Sequence, residues 1–120
     1  MHEETVFSRL SYDPDKLYGF ALELDENPDG LVIVDDKSVL LAQVYEHIYT
    51  DDLVAVDQML YVHPDHRRSG IARDLVNEYV SWAESKGAKM IMMGSSTGFN
   101  GAEEFFSSCG FERIGGNYLR

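Results

Sequence analysis

The first half of the chain has a helical pattern of apolar positions followed by two strand patterns. Asp13 and Pro14 have the chemistry of a helix N-cap followed by proline at the first helical position, and apolar residues then recur at helical spacing until a stop near Asn27. Residues 31–34 are β-branched and residues 39–49 alternate, with turn chemistry between the two runs. We therefore expect one helix followed by a β-hairpin.

The second half contains another strand, the clearest helix and a strand–helix–strand tail. A strand over residues 53–62 is predicted by the even spacing of four apolar residues, Val54, Val56, Leu60 and Val62. The clearest helical face belongs to residues 71–86, and a glycine follows it, as is common after a helix C-terminus. The tail is predicted as a strand, a helix and a strand at residues 89–93, 101–108 and 111–119. This order of elements favours one mixed α/β domain over residues 1–120.

Composition places the chain among ordinary globular proteins. With 44% hydrophobic and 26% charged residues, its 120 residues suffice for one layered domain and argue against extended disorder. No apolar run is long enough to cross a bilayer, and the start lacks the features of a secretory signal. Cys109 is the single cysteine and cannot form an internal disulfide. These features predict a cytoplasmic location and no membrane partner.

The charge distribution excludes polyanionic partners and favours cationic ones. The net charge is -11, so nonspecific binding to nucleic acid or to an anionic membrane would be opposed by repulsion. Residues 1–65 hold 15 of the 21 Asp and Glu residues but only 3 of the 10 Lys and Arg residues. A small cationic partner bound near the acidic half is the hypothesis that follows.

A candidate anion site lies where the predicted strand 53–62 turns into the clearest helix. The first backbone N–H groups of a helix have no partner within the helix and point outward, so an anion can dock there. Gly70 allows close approach of a ligand to the backbone and Ala72 is small, while Arg67, Arg68 and Arg73 add positive charge. The expected ligand is a phosphate ester.

The same segment resembles the GNAT acetyltransferase superfamily. The signature of that family is Arg or Gln, two residues, Gly, one residue, then Gly or Ala, and Arg67, Gly70 and Ala72 match it. Residues 60–64 resemble the family's lead-in to this motif, and residues 110–111 resemble its closing Gly-Phe pair. The resemblance implies a mostly antiparallel central sheet flanked by helices, a splayed parallel strand pair at the cofactor site, and a reduced N-terminal part.

The resemblance also implies acetyl-CoA as co-substrate and transfer of its acetyl group to a primary amine. The pyrophosphate is expected on the amides of the Gly70 loop, and the pantetheine arm along the strand before it, where a backbone N–H can polarise the thioester carbonyl. No metal is expected. The cofactor-binding residues implied are Leu60, Tyr61, Val62, Arg67, Arg68, Ser69, Gly70, Ile71, Ala72, Arg73, Asn100 and Phe106.

The catalytic groups are less well defined. An amine must lose a proton before it attacks the thioester, so a base or a chain of water molecules is required. Asp57 is the first candidate, although the position that aligns with the family's carboxylate is Gln58, and a solvated strand carboxylate is the alternative for Asp57. Relatives often carry a tyrosine where this chain has Phe106, a packing residue, which leaves Tyr118 or Tyr61 to protonate the departing thiolate.

Several alternatives stay open at this level. The acceptor can be a cationic small molecule or a protein lysine or N-terminus, and a homodimer is among the assemblies that the sequence allows. The missing tyrosine and Gln58 also suit a catalytically weak or inactive protein that uses this fold to bind CoA or a protein partner. A metal site at His63 and His66 is disfavoured, because no further ligand is evident in the sequence.

Overall fold

The structure is a computed structural model that describes residues 13–94, 101–115 and 120. Asp13–Met92 forms one compact unit, and the described residues after Met92 belong to another. No helix among the described residues has the length and apolarity needed to cross a membrane. The elements are α1 (Pro14–Glu26), β1 (Gly30–Val34), β2 (Ser38–Glu46), β3 (Leu53–Val62), a 3-10 turn (Pro64–His66), α2 (Ile71–Ser85), β4 (Met90–Met92) and α3 (Ala102–Ser108).

The described strands form one mixed sheet in the order β1-β2-β3-β4. The β1/β2 and β2/β3 pairs are antiparallel, whereas β3 and β4 are parallel. The parallel pair requires a crossover, and α2 supplies it between β3 and β4. The predicted mixed, mostly antiparallel α/β fold with one parallel pair is confirmed.

The helix and turn signals of the sequence act as predicted. The Asp13 side chain accepts hydrogen bonds from the backbone N–H groups of Asp15 (3.1 Å) and Lys16 (3.3 Å) and so caps α1. Between β1 and β2, the Asp35 carboxylate accepts from the backbone N–H groups of Lys37 (2.7 Å) and Ser38 (2.8 Å), which lowers the pKa of Asp35. The Asp13 bonds stabilise the start of α1, and the Asp35 bonds stabilise the turn between the two strands of the hairpin.

A β-bulge interrupts the pairing of β2 with β3. Leu41 lies opposite Met59, but the next residue, Ala42, lies opposite Asp57. Gln58 is therefore an extra residue in β3 with no counterpart on β2. A bulge of this kind bends the strand and increases its local twist.

The bulge also reverses which side chains of β3 share a face. Directly paired residues project to the same side of a sheet. Leu60 pairs with Leu40, whereas Val56 pairs with Gln43, and these two positions of β2 lie on opposite faces. The evenly spaced apolar residues of β3 therefore do not all lie on one face of the sheet. The extra residue, Gln58, moves the side chains that follow it to the opposite face from the one that simple alternation predicts.

The buried core of the larger unit lies between β2, β3 and α2. Leu40, Leu41 and Ala42 on β2 are almost fully covered. The predicted apolar face of α2 is also buried, including Tyr79 and Ala83, which have no exposed surface. Burial of side chains on this scale stabilises by roughly 1.5–3 kcal/mol per large apolar residue, so the packing fixes α2 firmly against the sheet.

The predicted length of β2 was wrong. The strand ends at Glu46 rather than at residue 49, and the backbone N–H of His47 donates to the carbonyl of Asp52 (3.0 Å), closing a turn. Ile48 and Tyr49 project from this turn with 88% and 81% of their surface exposed. Their apolar character looked like a continuing strand, but the turn geometry prevents pairing there.

The predicted last strand is also absent from the described part of its range. Residues 111–115 are not in a strand, and residues 116–119 lie outside the described residues. The Arg113 side chain donates a hydrogen bond from Nε to the carbonyl of Gly115 (3.0 Å). The donor to this carbonyl is therefore a side chain and not the backbone of a neighbouring strand.

Candidate functional site

The N-terminus of α2 has no side-chain cap and faces open space. Gly70 is the N-cap residue, with a φ of 91°, and no side chain accepts a hydrogen bond from the first turn. A Cβ added at Gly70 would meet no atom within 4 Å. In contrast, α1 has its first turn capped by Asp13. The helix dipole favours an anion at this end of α2.

The loop before α2 has the backbone geometry of an anion-binding turn. Arg68 adopts a φ of 70°, which is uncommon for a residue other than glycine, and Gly70 follows two residues later in the same left-handed region. Left-handed residues of this type turn successive N–H groups towards one concavity. The Ser69 hydroxyl donates to the carbonyl of His66, so it is directed back into the loop and not onto the helix amides. A pyrophosphate bound at this loop stays a prediction.

Arg67 connects this loop to the end of β3. Its Nε–H donates to the carbonyl of Val62 (2.9 Å), and its guanidinium carbon lies 5.5 Å from the centre of the Tyr61 ring. The sequence suggested Arg67 as a source of positive charge and as a cofactor-binding residue of the motif. The structure shows in addition that this side chain hydrogen-bonds to Val62, so it links the first residue of the motif to the last residue of β3.

The two histidines of the loop make local contacts. The His63 ring accepts a hydrogen bond from the backbone N–H of Asp65 (3.2 Å) and lies 3.7 Å from the Asp65 carboxylate. The centres of the His63 and His66 rings are 6.1 Å apart. Within residues 13–94 and 101–115, no group of three His, Cys, Asp or Glu residues is arranged to hold a metal ion.

Next to the loop, β3 extends beyond its pairing with β4. The pairing of β3 with β4 ends at Val56 and Met92, although β3 continues to Val62. On the side of β3 that pairs with β4, no described strand is paired with residues 57–62. An extended ligand with amide groups can add to such an edge as a further strand. Three of the predicted cofactor-binding residues, Leu60, Tyr61 and Val62, lie on this segment.

Asp57 directly follows Val56, the last residue of β3 that pairs with β4, and it lies beside the bulge. It is half-buried. Burial raises the pKa of the Tyr79 hydroxyl, and the negative charge of Asp57 raises it further. The carboxylate therefore lies near that hydroxyl, at the point where β3 and β4 part.

Tyr79 is a residue that motif spacing did not single out. The sequence showed it only as a member of the apolar face of α2, yet its hydroxyl donates to the carbonyl of Met92 (2.7 Å), the last residue of β4. A tyrosine, rather than a phenylalanine, on a fully buried helix face was the available signal. A buried hydroxyl needs a polar partner.

Three predicted site residues do not belong to the unit that contains this loop and strand. Asn100 and Tyr118 lie outside the described residues. Phe106 belongs to the smaller unit, where it is buried on α3 with its ring 5.6 Å from that of Phe105 and 6.4 Å from that of Phe111. Its observed contacts are packing contacts, as expected of a phenylalanine at this position.

The fold defines a class of protein: a mixed α/β domain whose parallel strand pair is joined by a helix with no side-chain cap at its N-terminus. The profile of the acetyltransferase (GNAT) family matches residues 2–111. The chain therefore belongs to the acetyltransferase (GNAT) family, and the resemblance seen in the sequence is confirmed.

Individual proteins agree with this assignment. An uncharacterised N-acetyltransferase of Methanocaldococcus jannaschii is 28% identical over 93 residues, which cover 78% of this chain and 38% of that protein. A transcriptional regulator from Bacillus halodurans C-125 has a TM-score of 0.78 at 16% identity, over 94% of this chain and 81% of that one. An aminoglycoside antibiotic 6′-N-acetyltransferase from Acinetobacter haemolyticus has a TM-score of 0.72 at 19% identity, over 92% and 81%. At these identities the solved structures establish similarity of fold.

Proposed function

We propose that the chain transfers an acetyl group from acetyl-CoA to a primary amine. The observation that carries this proposal is the N-terminus of α2 at Gly70, where no side chain caps the helix. The amides of residues 68–72 would hold the pyrophosphate, with Arg68 and Arg73 as nearby cations. Membership of the acetyltransferase (GNAT) family supports acetyl-CoA as the ligand.

The segment of β3 beyond its pairing with β4 would receive the pantetheine arm. This arm is a chain of amide groups, and backbone groups of Leu60 and Val62 can pair with it as they would with a strand. An N–H on the same segment can hydrogen-bond to the thioester oxygen and stabilise the negative charge that develops there during attack. Arg67 would support both halves of the site, because it ties the loop to the carbonyl of Val62.

The reaction replaces a thioester by an amide. The amine nitrogen attacks the thioester carbon, a C–N bond forms, the C–S bond breaks, and CoA leaves as a thiolate that takes up a proton. We assign Asp57 as the group that accepts the proton of the amine, since it lies at the point where the strands part. Tyr118 or Tyr61 is the proposed donor to the thiolate.

The acceptor that the charge distribution favours is a cationic amine, either of a small molecule or of a protein lysine or N-terminus. The fold relative from Acinetobacter haemolyticus is described as acting on aminoglycosides, which are polycationic. The acidic residues concentrated in residues 1–65 would attract such molecules.

Binding and turnover are tested separately. Calorimetry with acetyl-CoA measures the first, and release of free thiol in the presence of a panel of amines measures the second. We expect acetyl-CoA binding and amine-dependent thiol release. Replacement of Asp57 by Asn should lower kcat by about 10²-fold or more without weakening acetyl-CoA binding, and an unchanged kcat would remove Asp57 from the mechanism.

A second candidate is a protein that binds CoA or a partner without transfer. The phenylalanine at position 106 favours it, since this side chain has no hydroxyl to protonate a thiolate. The fold relative from Bacillus halodurans, described as a transcriptional regulator, is compatible with such a role. Tight acetyl-CoA binding with no amine-dependent thiol release would select this candidate over the first.

A further inference from the structure

The turn between β2 and β3 presents two large apolar side chains to solvent. Ile48 and Tyr49 are consecutive in the chain and are 88% and 81% exposed. Single apolar residues scattered over a surface are ordinary, but adjacent large ones at the tip of a turn form a patch, and exposed apolar patches mark sites of interaction. Folding of this unit leaves both side chains in water, so their burial against another molecule would be favourable.

The sheet extends this apolar surface beyond the turn. Tyr45 pairs with Val54, and Val54 pairs with Met90, so these three side chains project to the same side of the sheet. Val54 is buried, whereas Tyr45 and Met90 on either side of it are 37% and 51% exposed. Ile48 follows Tyr45 by three residues, so their Cα atoms are at most about 11 Å apart. We define the turn patch as Tyr45, Ile48, Tyr49 and Met90.

Local contacts hold the turn in one conformation. Besides the bond that closes it, the backbone N–H of Tyr49 donates to Nδ1 of His47 (3.4 Å), and the backbone N–H of Asp52 donates to the Thr50 hydroxyl (3.2 Å). The His47 and Tyr49 rings meet edge to face, with their centres 4.2 Å apart. The Lys89 ammonium lies 3.4 Å from the Asp52 carboxylate and so connects the turn to the residue before β4. A surface that is already ordered loses little conformational entropy when a partner binds.

The turn patch lies far from the proposed phosphate site, although both belong to the same compact unit. β3 begins at Leu53, beside the turn, and ends at Val62, beside the Gly70 loop. At about 3.3 Å per residue, a strand of this length spans about 30 Å. A phosphate group bound at one end of β3 therefore does not cover the patch at the other end.

The charges of the turn indicate the chemistry of its partner. Residues 46–52 include three carboxylates, Glu46, Asp51 and Asp52, and no Lys or Arg. Lys89 offsets the charge of Asp52, whereas Glu46 and Asp51 are exposed. Positively charged groups of a partner would be attracted to this rim. The exposed ring of Tyr49 can in addition receive a Lys or Arg side chain on its face.

The same charges oppose two other occupants. In a contact between two copies related by a twofold axis, the same surface of each copy takes part. Glu46 and Asp51 of both copies would then meet, and such like-charge contacts are costly. An anionic membrane would be repelled by these carboxylates as well.

We propose that the turn patch is a docking site for a basic polypeptide segment, which places an apolar side chain against Ile48 and Tyr49 and Lys or Arg side chains near Glu46 and Asp51. The centre of such an interface is apolar and its rim is polar, and Tyr and Met are enriched in interface centres. This docking site is separate from the proposed acetyl transfer and does not require it.

The test measures the binding of fluorescent peptides to the full chain by anisotropy at low salt. The first peptide carries Leu and Lys among Ser and Gly, the second has Glu in place of Lys, and the third has Ser in place of Leu. Tyr49→Ser has a matched control in Tyr18→Ser, because Tyr18 is 68% exposed on α1. Asp51→Asn has a matched control in Asp25→Asn, since both carboxylates are exposed.

We expect the Leu- and Lys-containing peptide to bind more tightly than the other two. Tyr49→Ser should weaken its binding by about tenfold, the effect of losing one anchoring side chain, and Asp51→Asn by about threefold, the effect of one exposed ion pair. Tyr18→Ser and Asp25→Asn should bind as the wild type does. All four variants should keep the wild-type melting temperature and acetyl-CoA affinity, because the altered side chains are exposed and lie outside the proposed cofactor site.

Three results would overturn the proposal. One is the absence of binding by the Leu- and Lys-containing peptide, or equal binding by all three peptides. Another is an equal effect of Tyr49→Ser and Tyr18→Ser. The third is a wild-type dimer in sedimentation velocity that Tyr49→Ser converts to a monomer, which would assign the patch to a second copy of the chain. A wild-type protein that fails to bind acetyl-CoA would contradict only the proposed function, and the peptide measurements would still decide the role of the turn patch.

Discussion

At the scale of single residues, the site depends on backbone conformation more than on side-chain chemistry. Gly70 and Gly87 are both left-handed, with φ values of 91° and 82°, and they bound the two ends of α2. The first is an N-cap residue with no side chain to cap the helix, while the second follows the end of the helix. Both were recognisable from the sequence, because glycine is the residue that adopts a left-handed conformation without steric cost at a helix boundary.

This pair of glycines allows a matched experiment. Replacement of Gly70 by Val should abolish acetyl-CoA binding, because a β-branched residue resists a φ of 91° and its side chain would stand over the exposed amides. Replacement of Gly87 by Val imposes similar backbone strain at the other end of α2 and should lower the melting temperature without loss of acetyl-CoA affinity. Undiminished affinity in the Gly70 variant would contradict the placement of the pyrophosphate.

Arg67 gives the second prediction at this scale. Lysine keeps the positive charge but has no Nε–H in the position that donates to Val62. Arg67→Lys should therefore weaken acetyl-CoA binding about fivefold, the effect of one hydrogen bond, and nearly as much as Arg67→Ala does. Arg68→Lys is the control for charge and should have little effect. If Arg67→Lys behaves as the wild type in calorimetry, the contribution of Arg67 is electrostatic alone.

At the scale of elements, the decisive feature is the bulge in β3. Gln58 has no partner on β2, and the strand pair β3/β4 ends two residues before it, at Val56. The strand itself was predictable from the apolar residues of 53–62. The extra residue was not, because alternation in one strand carries no information on how a neighbouring strand is aligned with it.

Deletion of Gln58 tests the role of the bulge. Asp57 and Met59 already lie opposite consecutive residues of β2, so removal of Gln58 makes them neighbours in the chain and the antiparallel ladder becomes regular. The deletion variant should fold with unchanged or higher thermal stability and lose acetyl-CoA affinity by about tenfold or more, the effect of the hydrogen bonds lost when the edge closes. Gln58→Ala retains the extra residue and should bind normally. Normal binding by the deletion variant would show that the bulge is not required to open the sheet edge.

At the scale of the whole molecule, charge is distributed unevenly along the chain. The net charge of -11 arises mainly in residues 1–65, whereas the Arg-containing loop follows directly after them. A cationic acceptor would be attracted to the first region, and the anionic phosphates of CoA to the second. Composition alone predicted this division, since it depends only on where the charged residues occur.

The acceptor preference should therefore depend on ionic strength. With a dicationic and a monocationic amine of equal length, the ratio of their kcat/KM values should favour the dication and fall as salt is raised from about 0.1 M to about 1 M, which shortens the Debye length from about 10 Å to about 3 Å. Thiol release measured at both salt concentrations provides the values. A ratio that stays constant would assign the acidic residues to ordinary solvent-exposed surface.

The sequence by itself determined the features that depend on residues close together in the chain: the Asp13 cap, the apolar face of α2, the Gly70 turn and the order of the elements from α1 to α3. Tertiary structure decided the end of β2 at Glu46, the bulge at Gln58 and the partner of Tyr79. The physical reason is the separation along the chain between the groups that interact. Caps, turns and helices satisfy their hydrogen bonds within a few residues, whereas strand register and buried hydroxyls are satisfied by groups that only the folded chain brings near.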